Sequence, residues 1–404
     1  METVSLRMGG GFGMDTLLEL YDAREPVKNL IGAWHLHPSE IIFFYYDLPD
    51  AAAERKQLAQ LFDRIGLRCA VRMEQLEHLD VDGMIEWVQA RQTELGEYAI
   101  ELSGGDDAML FSAGCCYERF PCKLYCSKTD GRYIELPAGR EIKPRNGVMT
   151  VEQRLSLNDC RLDRYGRLTP DELRGPLLML ADRMLDLQRK HSRQWTGCTR
   201  CIQQCVSRAP EGALTVLLDS DTCRDNNVSA GKGKLLRQMQ RAGALTAIEE
   251  QPDGILVTFP SLIVRDCLCD YGVWLEIGVY DAMRMSAAYD DVRMSCVVRW
   301  ENERIVNELD VTATAGMSLL IVSCKTCAPD MEALAELNVL GDRLGSTRTK
   351  TALAALPKGT ERLDNMHARC EEMGVQLIDL RQYDKQTLIA YFKRLGDQLR
   401  RGRA

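Results

Sequence analysis

The chain has 404 residues, 45% hydrophobic and 27% charged, enough apolar content for large cores in two or three domains. Its formal net charge of −8 excludes a constitutive, sequence-independent nucleic-acid coat, so any nucleic-acid contact must be local. No apolar stretch approaches a membrane span and no signal pattern opens the chain, so a cytoplasmic protein is expected, its 16 cysteines mostly reduced packing residues.

After the glycine-rich opening Gly9-Gly10-Gly11-Phe12-Gly13, the apolar run 41–46 is the first clear strand, and 51–65 has helical composition and spacing. A strand over 67–73, a helix over 83–95 and a strand over 98–102 follow, the alternation of a parallel, Rossmann-like sheet. That last strand runs into Ser103-Gly104-Gly105 and a helix over 106–118. Such a turn aims backbone amides at an anion, although two glycines equally suit any tight strand-to-helix turn.

In the middle, Thr169, Pro170 and Glu172 fit the N-cap, N1 and N3 positions of a helix running towards Lys190. Cys198, Cys201 and Cys205 follow Trp195 with C-x2-C-x3-C spacing. A closed zinc site needs a fourth ligand, for which Cys223 or His191 are the candidates; the alternative is a reduced thiol-rich helix or loop. A helix over 234–241, then strands over 245–249 and 255–259 around the turn Gln251-Pro252-Asp253-Gly254, read as a winged-helix-like module. It could touch DNA, but Glu249-Glu250 beside the wing favour a coupling role. The basic clusters are Arg189, Lys190 and Arg193; Lys232, Lys234, Arg237 and Arg241; and Arg343, Arg348 and Lys350. Such clusters are usually solvated helix faces.

Further on, Asp270 is a helix N-cap candidate ahead of 271–280, where Glu276 is the one carboxylate among largely apolar neighbours. It either escapes to solvent or points into a cleft. Two strands then bring acids and a lysine together: Asn307-Glu308-Leu309-Asp310, and the apolar run 319–322 ending in Ser323-Cys324-Lys325. Alternation puts Glu308 and Asp310 on one face and Ser323 and Lys325 on one face. A divalent ion on oxygen ligands acidifies water, and a lysine beside it can orient that water or offset phosphate charge. The plainer alternative is a pair of buried strands that end in polar residues at a sheet edge. A helix over 330–344, a strand over 351–356, a helix from 361, a strand over 375–380 and a last helix complete an α/β unit. The sequence holds no Ser-His-Asp arrangement, and its five histidines are scattered.

Glu276, then Asn307, Glu308 and Asp310, then Cys324, Lys325 and Thr326 resemble the nuclease domain of the PD-(D/E)xK superfamily found in CARF-containing effectors of type III CRISPR defence. The resemblance covers most of the chain and departs at Ser323, where the general pattern has an acid. It implies an α/β protein with a CARF-type Rossmann-like domain over 1–150, a helical and winged-helix-like connector over 151–265, and a restriction-endonuclease-like domain over 266–404. It further implies a dimeric nuclease that cleaves DNA and/or RNA with Mg2+ or Mn2+ on Glu276, Glu308 and Asp310. Lys325 would position water or stabilise phosphate charge, and Ser323 would stand in for the usual second acid. In the sensor domain the resemblance points to a cyclic oligoadenylate, cyclic tetra-adenylate being expected, held by Ser103, Gly104, Gly105, Asp106 and Met109, with Asn29 in the loop before the first strand. Asp106 and Asp107 depart from the threonine and lysine frequent there, and two acids oppose a phosphate-rich ligand unless bases elsewhere compensate. The competing function is a non-catalytic, nucleotide-sensing or nucleic-acid-binding regulator on a degenerate nuclease fold.

Overall fold

In the computed structural model, which describes residues 15–77, 81–128, 131–144, 147–231, 234–300, 306–345, 348–358 and 363–401, the first strand is Thr16–Leu20 (β1), buried at every position. This corrects the expectation of a first strand at 41–46, and Glu19 is the reason: a carboxylate in a run of five interrupts the apolar signal. The opening glycines 9–13 lie outside the described residues.

From β1 the chain alternates through α1 (Lys28–Leu36), β2 (Glu40–Tyr45), α2 (Ala51–Arg64), β3 (Ala70–Gln75), α3 (Val81–Leu95), β4 (Tyr98–Glu101), α4 (Asp107–Arg119) and β5 (Lys123–Ser127). β6 (Tyr133–Leu136), β7 (Arg140–Glu141) and α5 (Val151–Ser156) follow. The sheet order is β3-β2-β1-β4-β5-β6-β7; the first five strands are parallel, and β6 and β7 join antiparallel. Helices on both faces explain why Ile41, Ile42, Phe43 and Phe44 are all fully buried in β2. Caps set the helix starts: Asp50 accepts from Ala53 N, Asp106 from Met109 N, and Thr150 forms a capping box with Gln153.

The chain divides into two compact units, one running to Asn158, the other Asp159–Leu399. The second begins with β8 (Cys160–Tyr165), then α6 (Gly175–Lys190) and α7 (Ser192–Val206). Next come β9 (Thr215–Asp219), α8 (Ser220–Asp225), α9 (Leu235–Ala242), β10 (Ala247–Gln251), β11 (Gly254–Thr258) and α10 (Leu262–Leu268). β10 and β11 form the expected hairpin, and β9, which is not among the expected elements, adds a third antiparallel strand beside β11. The helix expected from Thr169 instead starts at Gly175 with Pro176 in its first turn. Glu172 does reach back to Thr169 N at 2.7 Å, but this bond closes an isolated turn ahead of the helix.

α11 (Val273–Met285), β12 (Asp291–Trp300), β13 (Val306–Ala315), β14 (Ser318–Lys325), α12 (Met331–Arg343), β15 (Thr349–Ala355), α13 (Asp364–Glu372), β16 (Gln376–Asp379) and α14 (Lys385–Arg400) complete the unit. Their sheet runs β16-β15-β14-β13-β12-β8, parallel from β14 to β16 and antiparallel from β14 to β8. One core joins this sheet to the winged module, from Met184 and Cys201 through Met239 to Trp274, Val322 and Phe392. Among the described residues no helix is long and apolar enough to cross a membrane.

Candidate active site

The ladder between β13 and β14 ends at Val311 and Val322, and the functional side chains begin one residue further on each strand. There the Asp310 carboxylate takes the place of a strand partner: its Oδ2 accepts from Cys324 N at 2.7 Å and from Ser323 Oγ at 3.2 Å. These bonds and the nearby Lys325 draw the Asp310 pKa down, but burial outweighs them and it stands above the ordinary value. Cys324 itself faces the core, its thiol pushed well up by burial.

Glu276 approaches from the first turn of α11. Burial, with the Asp310 charge next in weight and Glu308 adding to it, raises its pKa to about 8, against lowering by Arg167 and Lys325. The helix is aimed by Asp270, whose Oδ1 accepts from Gly272 N at 2.6 Å and Val273 N at 3.0 Å. Asp270 therefore caps the start, although the residue at the N-cap position is Gly272. Glu308 is exposed, with its carboxylate against Gly166 after β8, where a Cβ would fall 2.6 Å from Glu308 Oε1. Gly166 N is itself tied to Ser295 O at 2.7 Å, so a side chain there has no room unless Glu308 moves.

The structure thus brings Glu276, Asp310, Ser323 and Lys325 together, with Glu308 beside them, and adds a residue that sequence reasoning missed. Arg167, half exposed on the turn after β8, pairs with Asp270 and acts on Glu276. The only sequence signal was Tyr165-Gly166-Arg167 at the end of a short strand with alternating charges, too weak to place it. Asn307 has a structural task, accepting from Trp300 Nε1 at 3.0 Å, and the Arg343 guanidinium lies 3.9 Å over the Trp300 ring. Arg237 likewise donates to Ala230 O and Ile248 O, so both arginines serve packing. Lys232 lies outside the described residues.

Hard oxygen donors around a buried, charge-crowded pair fit Mg2+ or Mn2+ chemistry, since a divalent cation offsets both the burial and the repulsion that raise Glu276. Among the described residues no three His, Cys, Asp or Glu side chains gather closely enough to hold an ion alone. Two carboxylates supplemented by water suit Mg2+, which keeps much of its hydration.

In the first unit Gly105, Asp106 and Met109 line a cavity of about 580 Å³ together with Tyr21, Lys28 and Tyr45. Gly104 and Gly105 are required by close approach: a Cβ on Gly104 would stand 2.1 Å from Leu20 O, and Gly105 has φ +77°. Ser103 is engaged internally, donating its N–H and hydroxyl to Glu101 and accepting from Ser127 N at 2.8 Å. Glu101 pairs in register with Glu19 on β1, and burial with the Glu101 charge pushes Glu19 well up. Asn29 is corrected in place: it lies within α1, after β1, buried, and closes the β1–α1 loop by bonding Asp22 N at 2.8 Å and Asp22 O at 2.9 Å. Arg24 and Lys28 line the same cavity, but so do Asp22, Glu25 and Asp47, and Lys28 is paired with Asp22 at 2.9 Å, so acids outnumber bases around Asp106.

No curated protein matches the chain. Residues 268–385 match the model of the family described as "Card1-like, endonuclease domain". Among solved structures, protein VC1899 from Vibrio cholerae aligns with TM-score 0.73 at 17% identity, over 94% of this chain and 98% of its own. Can2 from Sulfobacillus thermosulfidooxidans, solved in complex with cyclic tetra-adenylate, aligns with TM-score 0.67 at 17% identity, over 94% of this chain and 99% of its own. At such identities the likeness shows fold. The expected architecture, a Rossmann-like α/β domain followed by an α/β endonuclease domain, is borne out as fold.

Proposed function

We propose that this protein is a metal-dependent nuclease of type III CRISPR defence, cutting DNA and/or RNA when a cyclic oligoadenylate binds its CARF-type domain. The observation that carries the reading is the Asp310 carboxylate, fixed by Cys324 N and Ser323 Oγ at the strand end beside Lys325, with Glu276 raised to about 8 by its burial and then by the Asp310 charge. Buried carboxylates that crowd one another are costly unless a cation and a negatively charged substrate use them.

When bound, Mg2+ or Mn2+ would supply Lewis-acid activation of water and neutralise charge at the scissile phosphate. Glu276 and Asp310 would hold it, with Glu308 contributing from the exposed side. Lys325 orients the attacking water and offsets phosphate charge, and Ser323 keeps Asp310 in one rotamer by donating to it. The reading takes 1–150 as sensor and 266–404 as nuclease, with β8 and the turn after it belonging to the nuclease sheet and the rest of 151–265 as connector. It assigns ligand contacts to the Gly104 and Gly105 amides, Asp106 and Met109, and makes Ser103 and Asn29 supports of the turn and loop. The solved complex of Can2 with cyclic tetra-adenylate supports that ligand class, and the Card1-like domain match supports the chemistry. A homodimer in the cytoplasm is the expected working form.

The test is cleavage of supercoiled plasmid, single-stranded DNA and RNA in Mn2+, with and without cyclic tetra-adenylate, with Asp310→Ala as contamination control. Ligand-stimulated cutting that the mutant loses supports both halves. Cutting indifferent to ligand removes the sensor claim. Absence of cutting on every substrate shifts the reading to a non-catalytic regulator, which Ser323 in an acid position favours.

A further inference from the structure

Three cysteines share one face of α7, and each meets a different neighbour. Cys198 Sγ stands 4.0 Å from Met239 Sδ, and Cys205 Sγ stands 3.6 Å from Asp219 Oδ2. Cys201 Sγ stands 3.9 Å from Cys223 Sγ on α8. A tetrahedral zinc site needs four donors converging on one point, and these diverge; among the described residues no set of three ligands gathers. What the fold has built is a pair.

Both members are buried, Cys201 at 0% and Cys223 at 6% exposure, in the core that continues to the nuclease sheet. Cys223 Sγ also faces Leu218 O at 3.4 Å, so its position is set from both sides. Closing from 3.9 Å to a disulfide of about 2.05 Å takes a rotation of one or both side chains. Either sulfur can donate in this contact; with Cys201 as donor the thiolate is favoured on Cys223, whose pKa lies below the ordinary value against its burial, while that of Cys201 lies above it.

We propose that Cys201 and Cys223 are a modification site: a dithiol that a small peroxide converts to a reversible disulfide, cross-linking α7 to α8. The Cys223 thiolate attacks a peroxide oxygen, the O–O bond breaks, hydroxide leaves and Cys223 becomes a sulfenic acid. The Cys201 sulfur then displaces that hydroxyl and its proton leaves with it as water. The net change is two thiols and one hydrogen peroxide to one disulfide and two waters, reversed by a thiol reductant. Burial sets the oxidant's class, since hydrogen peroxide can reach a site that a bulky disulfide cannot. The bond spans 22 residues of sequence and ties together two helices of the winged module.

The full chain is exposed to hydrogen peroxide, quenched with N-ethylmaleimide and digested without reductant for peptide mapping. The expected result is a Cys201–Cys223 cross-linked peptide that dithiothreitol abolishes, formed about tenfold less with oxidised glutathione. In Cys201→Ser, dimedone should trap a sulfenic acid at Cys223. Both cysteines recovered reduced while exposed Cys327 is oxidised would overturn the proposal, as would over-oxidation of either without a cross-link. Mapping of the unmodified sequence decides the matter even if the serine variants do not fold.

Discussion

Ser323 Oγ donates to Asp310 Oδ2 at 3.2 Å, so the position that carries an acid in the general superfamily pattern is here a hydrogen-bond donor to the central carboxylate. One negative charge fewer at the strand end leaves Asp310 held rather than opposed. Ser323→Ala should remove one bond of about 1 kcal/mol and lower the cleavage rate about tenfold with the fold intact. Ser323→Asp should destabilise the ion-free protein at neutral pH, and Mn2+ should restore the loss. Rates and thermal melts with and without Mn2+ check both; a Ser323→Ala variant as inert as Asp310→Ala would contradict the supporting role.

Asp310→Ala and Lys325→Ala should each reduce cleavage by about 10² or more without changing the circular dichroism spectrum. Full activity in either, measured on the best substrate with purified protein, would remove the assigned site.

Glu276 gives a pH signature. With its pKa moved from the ordinary 4.5 to about 8, the folded protein keeps a proton between those values that the unfolded chain has released. Stability of the ion-free protein should therefore fall as pH rises through that window and level off above it. Glu276→Gln, neutral at every pH, should lack this decline. Binding of Mn2+ has to displace the same proton, so its affinity, read by calorimetry, should rise up to about tenfold per pH unit and flatten near pH 8.

The turn after β8 should matter although it lies outside the matched endonuclease region 268–385. Gly166→Ala would push the Glu308 carboxylate away and Arg167→Ala would release Asp270 at the start of α11. Each should lower kcat by about tenfold, and Arg167→Ala should in addition raise the Glu276 pKa, moving the pH profile to higher pH. An unmoved profile in Arg167→Ala would confine that arginine to a surface ion pair.

Gly104→Ala places a methyl where Leu20 O already stands, so the turn must shift. The thermal stabilisation expected from cyclic tetra-adenylate should be lost in this variant while ligand-free Mn2+ binding is retained. A melting shift equal to that of the unmodified protein would put the ligand elsewhere.

Much of this was legible in the sequence because the signals were local. The i, i+2 acids of β13, the apolar run of β14 and the helix starts at Asp106 and Asp330 each rest on signals within a few residues. What stayed hidden needed the third dimension. β1 carries Glu19 as its fourth residue, in register with the equally buried Glu101, and no local pattern announces such a pair. Asn29 read as a loop residue because the strand ahead of it was missed. Arg167 and Gly166 join the site only through the pairing of β8 with β12, more than a hundred residues apart, as the register Cys296↔Tyr165 shows.

That pairing has a consequence for how the molecule is made. The edge strand of the nuclease sheet leaves the ribosome before the whole winged module, whereas its partner β12 emerges after it. The module is in effect an insertion into the nuclease, and the sheet stays open at one border until the intervening chain has folded. A fragment cut at the start of the endonuclease region would expose the unsatisfied backbone of β12 as a template for self-association. The two parts are thus obliged to mature as one, and neither is a detachable cassette.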